Sequence, residues 1–150
     1  MTMSAVLSSF DNDSDDRAVA KLRIPPHSLE GESSVLGGLL LDNGAWDRVA
    51  DLLTDADFYR YEHRLIYGSI GTLINATKPA DVITVYEHLQ SQGKADEIGG
   101  LGYLNSLAQY VPSAGNIRRY AEIVRERSIL RKLVSASDEI ATNAFNPKGR

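Results

Sequence analysis

The chain contains no cysteine. That excludes disulfides and thiolate-bound zinc, and it is compatible with a reducing compartment. Long apolar runs are also missing. The longest, Val35 to Leu41, includes two glycines and falls far short of the roughly 20 residues a membrane-spanning helix needs. Met1 to Phe10 lacks the basic region and apolar core of a secretory signal and leads into Asp11, Asp13, Asp15 and Asp16. The expectation is a soluble cytoplasmic protein without a membrane partner. No segment sustains a period-two alternation of apolar and polar residues, so nothing reads as a half-buried strand.

Motifs that carry chemistry are equally scarce. There is no Gly-x-x-x-x-Gly-Lys-Ser/Thr, hence no phosphate-cradling loop, and Gly99, Gly100 and Gly102 read as a turn. His27, His63 and His88 are scattered, with no spacing that would aim two imidazoles at one metal. Serine in Gly-x-Ser-x-Gly is absent. Asp55 with Asp57, and Asp96 with Glu97, sit in polar turns where such neighbours act as caps and solvated charges. The sequence therefore predicts no catalytic residue, no cofactor and no metal site in this chain, and a module that binds and organises.

What is present is a pattern of helices. With 150 residues and 43% hydrophobic content, the chain is long enough for one domain with its own core. Residues 1–22 are acidic and aperiodic and read as a flexible arm, closed by Pro25 and Pro26. Ser28 is the expected cap of a first helix carrying Leu29, Glu32, Val35, Leu36, Leu39 and Leu40 at helical spacing, stopped by Asn43-Gly44. Trp46 to Leu53 gives a short second helix and Tyr61 to Asn75 a third. Asp81 caps a fourth, Leu101 to Ala108 forms a fifth ended by Pro112, and Asn116 caps a long sixth reaching Phe145. The fold class is all-α: a compact orthogonal bundle of about five short helices over 23–115, with one long C-terminal helix over 116–150.

The apolar face of that last helix changes sides. At about 100° per residue, Ile117, Tyr120, Ala121 and Val124 form one stripe. From Ile129 onward, Ile129, Leu130, Leu133, Val134, Ala136, Ile140, Ala141, Ala144 and Phe145 fill half the circumference on nearly the opposite side. A helix buries two opposed faces only by lying between two bodies, and the second body is expected from outside this chain. Self-association candidates are accordingly Ile129, Leu130, Leu133, Val134, Ile140 and Ala144. The net charge of −4 is unevenly spread: Arg118, Arg119, Arg125, Arg127, Arg131 and Lys132 face only Glu122 and Glu126, about +4 locally, leaving the remainder near −8.

Several strings are distinctive together: Ile24-Pro-Pro-His-Ser-Leu-Glu-Gly-Glu-Ser-Ser-Val-Leu-Gly-Gly-Leu-Leu-Leu-Asp42; Asp57-Phe-Tyr59 with His63; Ile98-Gly-Gly100 with Tyr103-Leu104; and Pro112-Ser-Ala-Gly-Asn116 through Tyr120-Ala-Glu-Ile-Val-Arg-Glu-Arg127 and Leu130-Arg131. From about Leu22 to Arg150 the chain resembles the N-terminal domain of the bacterial replicative DNA helicase, the DnaB family. Gly31 and Ala95 depart from the family's usual alanine and leucine, and Gly31 is expected to loosen the first turn by roughly 1 kcal/mol.

The resemblance implies a collar domain in a hexameric ring that unwinds duplex DNA at the replication fork, at the bacterial nucleoid. ATP and Mg belong to a C-terminal motor domain that this chain lacks. Helical hairpins pair between subunits to give dimers and a trimer of dimers, and the long helix here is expected to be the first half of a truncated hairpin. Primase docks outside the collar, and the family's contact positions fall on Glu30, Tyr103, Val134 and Ile140. A helicase loader is a further partner of such rings, and DNA is engaged through the full-length ring. The rival reading is a small DNA-binding module using the arginines of the last helix, although an acidic chain is a poor starting point for that role.

Overall fold

The structure, a computed structural model, describes residues 23–110 and 116–147. The arm over 1–22 and the helix stop at Pro112 lie outside the described residues. Among the described residues there are six α-helices: α1 (Leu29–Leu41), α2 (Trp46–Val49), α3 (Tyr61–Asn75), α4 (Val82–Ser91), α5 (Gly100–Tyr110) and α6 (Ile117–Phe145). Single 3-10 turns occupy Asn43–Ala45, Asp55–Asp57 and Asp96–Ile98, and no strand occurs among the described residues.

Helix α1 forms because Ser28, in extended backbone, accepts a hydrogen bond from Gly31 N at 3.1 Å, and Glu30 and Glu32 place negative charge in the first turn. It is the central helix, packed on α3, α5 and α6 and buried from Ser34 through Leu40. Only a helix enclosed by others can be apolar nearly all round. Its glycines let neighbours come close: a Cβ at Gly38 would stand 3.0 Å from Ile117 Cδ1 at the start of α6. Leu29 was expected to point inward with the rest of the stripe, yet at the first position of α1 it is exposed, while Gly31 and Glu32 in the same turn are buried.

Asn43 joins the two ends of the body. Its Nδ2 donates to Leu39 O at 2.9 Å and to Ala80 O at 2.8 Å, and its Oδ1 accepts from Ala80 N at 2.9 Å. The end of α1 is thereby fixed to the start of α4. Asp81 and Thr84 cap α4 reciprocally, Asp81 Oδ1 accepting from Thr84 N and Thr84 Oγ1 from Asp81 N. Left-handed Gly99 and Gly100 (φ 90° and 70°) turn the chain into α5. Helix α6 buries Ile117, Ala121, Val124 and Ser128 against the body, while every described residue from Lys132 onward is exposed. Asn116 stands at its N-cap position without making the expected side-chain capping bond.

Gly71 in α3 faces Trp46, the chain's one tryptophan, and a Cβ there would approach the indole Cη2 to 2.8 Å. Gly68, in the same helix, has only Asp55 Oδ2 at 3.8 Å. Both replacements gain helix propensity of about 1 kcal/mol, so packing decides the sign. Gly71→Ala is expected to lower stability by about 1–2 kcal/mol through overpacking and to change Trp46 fluorescence. Gly68→Ala should raise stability by about 0.5–1 kcal/mol. Urea melts of the two variants followed by Trp46 emission check this, and equal signs would contradict it.

Candidate functional site

Where α6 leaves the body, its inward face meets a buried carboxylate. Asp57 closes a 3-10 turn, and Thr54 N donates to its Oδ2 at 2.8 Å. Ser128 Oγ and Arg125 Nη1 both donate to Oδ1 at 2.7 Å. Burial alone would raise the Asp57 pKa; the Thr54, Ser128 and Arg125 bonds and the Arg125 charge outweigh it and hold the group below the usual carboxylate range. One turn further along α6, Arg131 Nη2 donates to Asp57 O at 2.6 Å and Nη1 to Pro26 O at 2.8 Å, with Cζ 5.5 Å from the Tyr59 ring centroid. Burial lowers the Arg131 pKa and Arg64 adds to that, against the opposing pull of Glu32 and Asp57.

A second buried carboxylate lies beside the first. Glu32, in α1, accepts from Tyr59 N at 2.7 Å, from Arg60 N at 3.4 Å and from His63 Nδ1 at 2.7 Å. A carboxylate only accepts, so Nδ1 carries the hydrogen, and Nε2 lies 2.5 Å from the Tyr103 hydroxyl. Burial raises the Tyr103 pKa against the opposing effect of Arg60, so the phenol keeps its proton. No buried side-chain nitrogen or oxygen among the described residues lacks a partner. The two networks meet at Asp57-Phe58-Tyr59 and tie α1, α3, α5 and α6 to one turn.

Beyond this junction α6 carries the candidate interaction surface. Ile129, Leu130, Leu133, Val134, Ile140 and Ala144 all lie on its exposed side, with Leu133 61% and Ile140 69% accessible. The two stripes read from the sequence are thus distinct in the structure, the first packed on the body, with Ile117, Ala121 and Val124 buried and Tyr120 half-buried, and the second bare. Of the remaining contact candidates, Glu30 is exposed on the first turn of α1, beside a groove of about 420 Å³ lined by Ser28, Gly31, Tyr110, Tyr120 and Ile123. Tyr103 is half-buried, with its hydroxyl committed to His63, and does not line that groove.

The arginines of α6 are already engaged within the chain. Arg118 Nη1 lies 2.9 Å from Asp51 Oδ1 and from Arg48 O, Arg119 pairs with Glu122 at 3.3 Å, and Arg127 with Glu126 at 3.9 Å. Arg125 and Arg131 turn inward. The pairs of Arg118, Arg119 and Arg127 are solvent-exposed, and together with the inward turn of Arg125 and Arg131 they offset part of the local positive charge that phosphate would need. Asp57 differs from expectation: it caps its turn but is buried rather than solvated. Among the described residues, no cluster of three His, Cys, Asp or Glu could hold a metal, and no helix is long and apolar enough to cross a membrane.

Comparison with known proteins agrees with this architecture. The profile of the DnaB-like helicase N terminal domain matches residues 24–126. The replicative DNA helicase DnaB of Haemophilus influenzae is 45% identical over 137 residues, covering 91% of this chain and 29% of that protein. The chain therefore spans less than a third of the length of that relative. The solved N-terminal domain of DnaB helicase from Mycobacterium tuberculosis superposes with a TM-score of 0.80 at 40% identity, over 81% of this chain and 88% of that one. The Helicobacter pylori N-terminal domain, described with its interactions with primase, gives 0.69 at 25% identity over 78% and 91%.

The Asp57 network makes a pH-dependent prediction. A carboxyl whose folded pKa lies below its unfolded value of about 3.9 contributes stability above that pH and loses it as pH falls through the folded value. Asp57→Asn should cost about 2 kcal/mol at pH 7, a figure reduced because Arg125 is 37% exposed and its pair is partly screened. The gap between the two proteins should close below about pH 4. Urea unfolding at pH 7, 5 and 3 measures it, and a gap independent of pH would rule the ionised network out as the cause.

Proposed function

The chain belongs to the DnaB-like helicase N-terminal domain family, and from that membership we propose that it is the oligomerising and primase-docking collar domain of a replicative DNA helicase acting at the bacterial replication fork. Residues 23–115 serve as the globular body and 116–150 as the first helix of a pairing hairpin. The distal face of α6 packs on the second hairpin helix and, through it, on another subunit, giving dimers and, in the ring, a trimer of dimers. Unwinding, ATP and Mg are assigned to a motor domain outside these residues, because the chain has no phosphate loop. The loader and the DNA are partners of the whole ring in the cytoplasm. The observation that carries this reading is the half-circumference of apolar side chains on α6, a surface that soluble proteins seldom leave uncovered.

Primase docking is supported by the Helicobacter structure's stated interactions with primase and by the exposure of Glu30, Val134 and Ile140. Val134 and Ile140 belong to both candidate surfaces, since the face they share with Leu133 is broad enough for a hairpin partner and a rim contact. The DNA-binding alternative is disfavoured by the arginine pairings.

Two variants of α6 separate its faces. Leu133→Asp, tested in the longer helicase polypeptide, should weaken self-association about 100-fold, because it forces an unpaired charge into an apolar interface, while leaving the body's melting temperature unchanged. Val124→Asp should unfold the body, since Val124 is 1% exposed. Light scattering after size exclusion, with thermal melts, decides. If Leu133→Asp destabilises the body as much as Val124→Asp, the distal face belongs to the chain's own core and the proposal fails. Primase binding is tested separately: Glu30→Ala and Ile140→Ala should each reduce affinity by about 5–30-fold in calorimetry, and wild-type affinity in both would remove that surface from the interface.

A further inference from the structure

The last support that the body gives α6 comes from one residue. Arg131 is the last residue of the helix that the body shelters; from Lys132 to Pro147 every side chain is exposed. Behind it, Arg125 and Ser128 both terminate on the same oxygen, Asp57 Oδ1. Two bonds converging on one atom hold a single point, and the apolar contacts of Ile117, Ala121 and Val124 behind them supply adhesion without directional bonds. Arg131 supplies a separate support. Its two nitrogens reach backbone carbonyls of different segments, Asp57 O in the 3-10 turn and Pro26 O in the extended lead into α1. Its guanidinium also lies over Tyr59, whose ring stacks with His27 at 4.3 Å and 15°. The Pro26 bond is the one hydrogen bond between the lead segment and α6 among the described residues. Beside it, Arg23, Ile24, Pro25, Val134 and Asp138 border an open groove of about 610 Å³ that does not brace the helix.

We propose that Arg131 is the positioning residue that fixes the direction in which α6 leaves the body, and hence the attitude in which its distal apolar face meets a partner. Phe145 is about 21 Å of helix beyond Arg131 at 1.5 Å per residue, so a 10° swing at the junction moves the tip by about 4 Å. A displacement of that size is enough to separate side chains that must interdigitate. The role requires a planar fork: two carbonyls on separate segments are reached by two nitrogens of one guanidinium, whereas an ammonium carries the same charge at a single point. The consequence for assembly rests on the oligomerisation reading above; the pointing itself does not.

Because the chain has no cysteine, spin labels at Asp47→Cys on the body and Thr142→Cys near the tip can be placed uniquely. Labelled chain is diluted into unlabelled chain, and the intramolecular distance distribution is measured by double electron–electron resonance for the parent, Arg131→Ala and Arg131→Lys. The parent should give one narrow distance. Both variants should broaden or shift it by about 4 Å or more, with helicity and melting close to the parent. A narrow, unmoved distance in a folded Arg131→Lys or Arg131→Ala overturns the proposal. So does a melting temperature well below the parent's in both variants, which would make Arg131 a stability residue. Light scattering on the longer polypeptide separates the two readings. Broadened distances, with Leu133→Asp leaving association untouched, would retain the pointing role and sink the oligomerisation reading.

Discussion

A carboxylate taken out of water must be met by donors, and Asp57 meets that demand with groups drawn from α6 as well as from its own turn. Thr54 N satisfies one oxygen, while Ser128 and Arg125 share the other. Leaving a buried charge unmatched costs several kcal/mol, so the register of α6 against the body is set within a residue. A shift by one position would carry Ser128 and Arg125 about 100° away from the oxygen they serve. Apolar contacts at Ile117, Ala121 and Val124 supply adhesion, but apolar packing tolerates sliding more readily than directional bonds do.

Glu32 imposes the same condition on the other side of the turn. It is 1% exposed and accepts from the backbone of Tyr59 and Arg60 and from His63, which leads on to Tyr103. Most of the short strings that distinguish this chain's sequence therefore belong to one connected polar core. Asp57-Phe-Tyr59, His63, Tyr103 and Arg125 are far apart in sequence and adjacent in space. Each of these side chains answers a specific partner, which an ordinary core leucine does not.

Much of the fold was legible because periodicity and punctuation are local. Tyr61–Asn75 carries its stripe and a stop of its own, Asp81 sits three residues before Thr84, and the reversal of the apolar face of α6 follows from spacing alone. The polar core was not legible. Glu32 occurs at an inward helical spacing, but acidic residues in a first turn are expected for the helix dipole whether or not they are buried. Asp57 looks like any turn aspartate. Its bonds to Arg125 and Ser128 span 68 and 71 residues, and one sequence offers no measure of such pairing. Asn43 was read as a helix stop; that it also grips Ala80 depends on where α4 begins in space.

The bare half of α6 also bears on how this helix acquires its order. A helix of the length of Lys132–Phe145, cut loose in water, is close to the limit at which the cost of the first turn is recovered. Here that first turn already exists, docked at Val124 and Ser128, and each further residue needs only propagation. Order therefore extends outward from the body and melts back from Phe145 inward, in steps far smaller than global unfolding. A partner laid along the bare face would not have to create a helix, only to lengthen the lifetime of one seeded elsewhere.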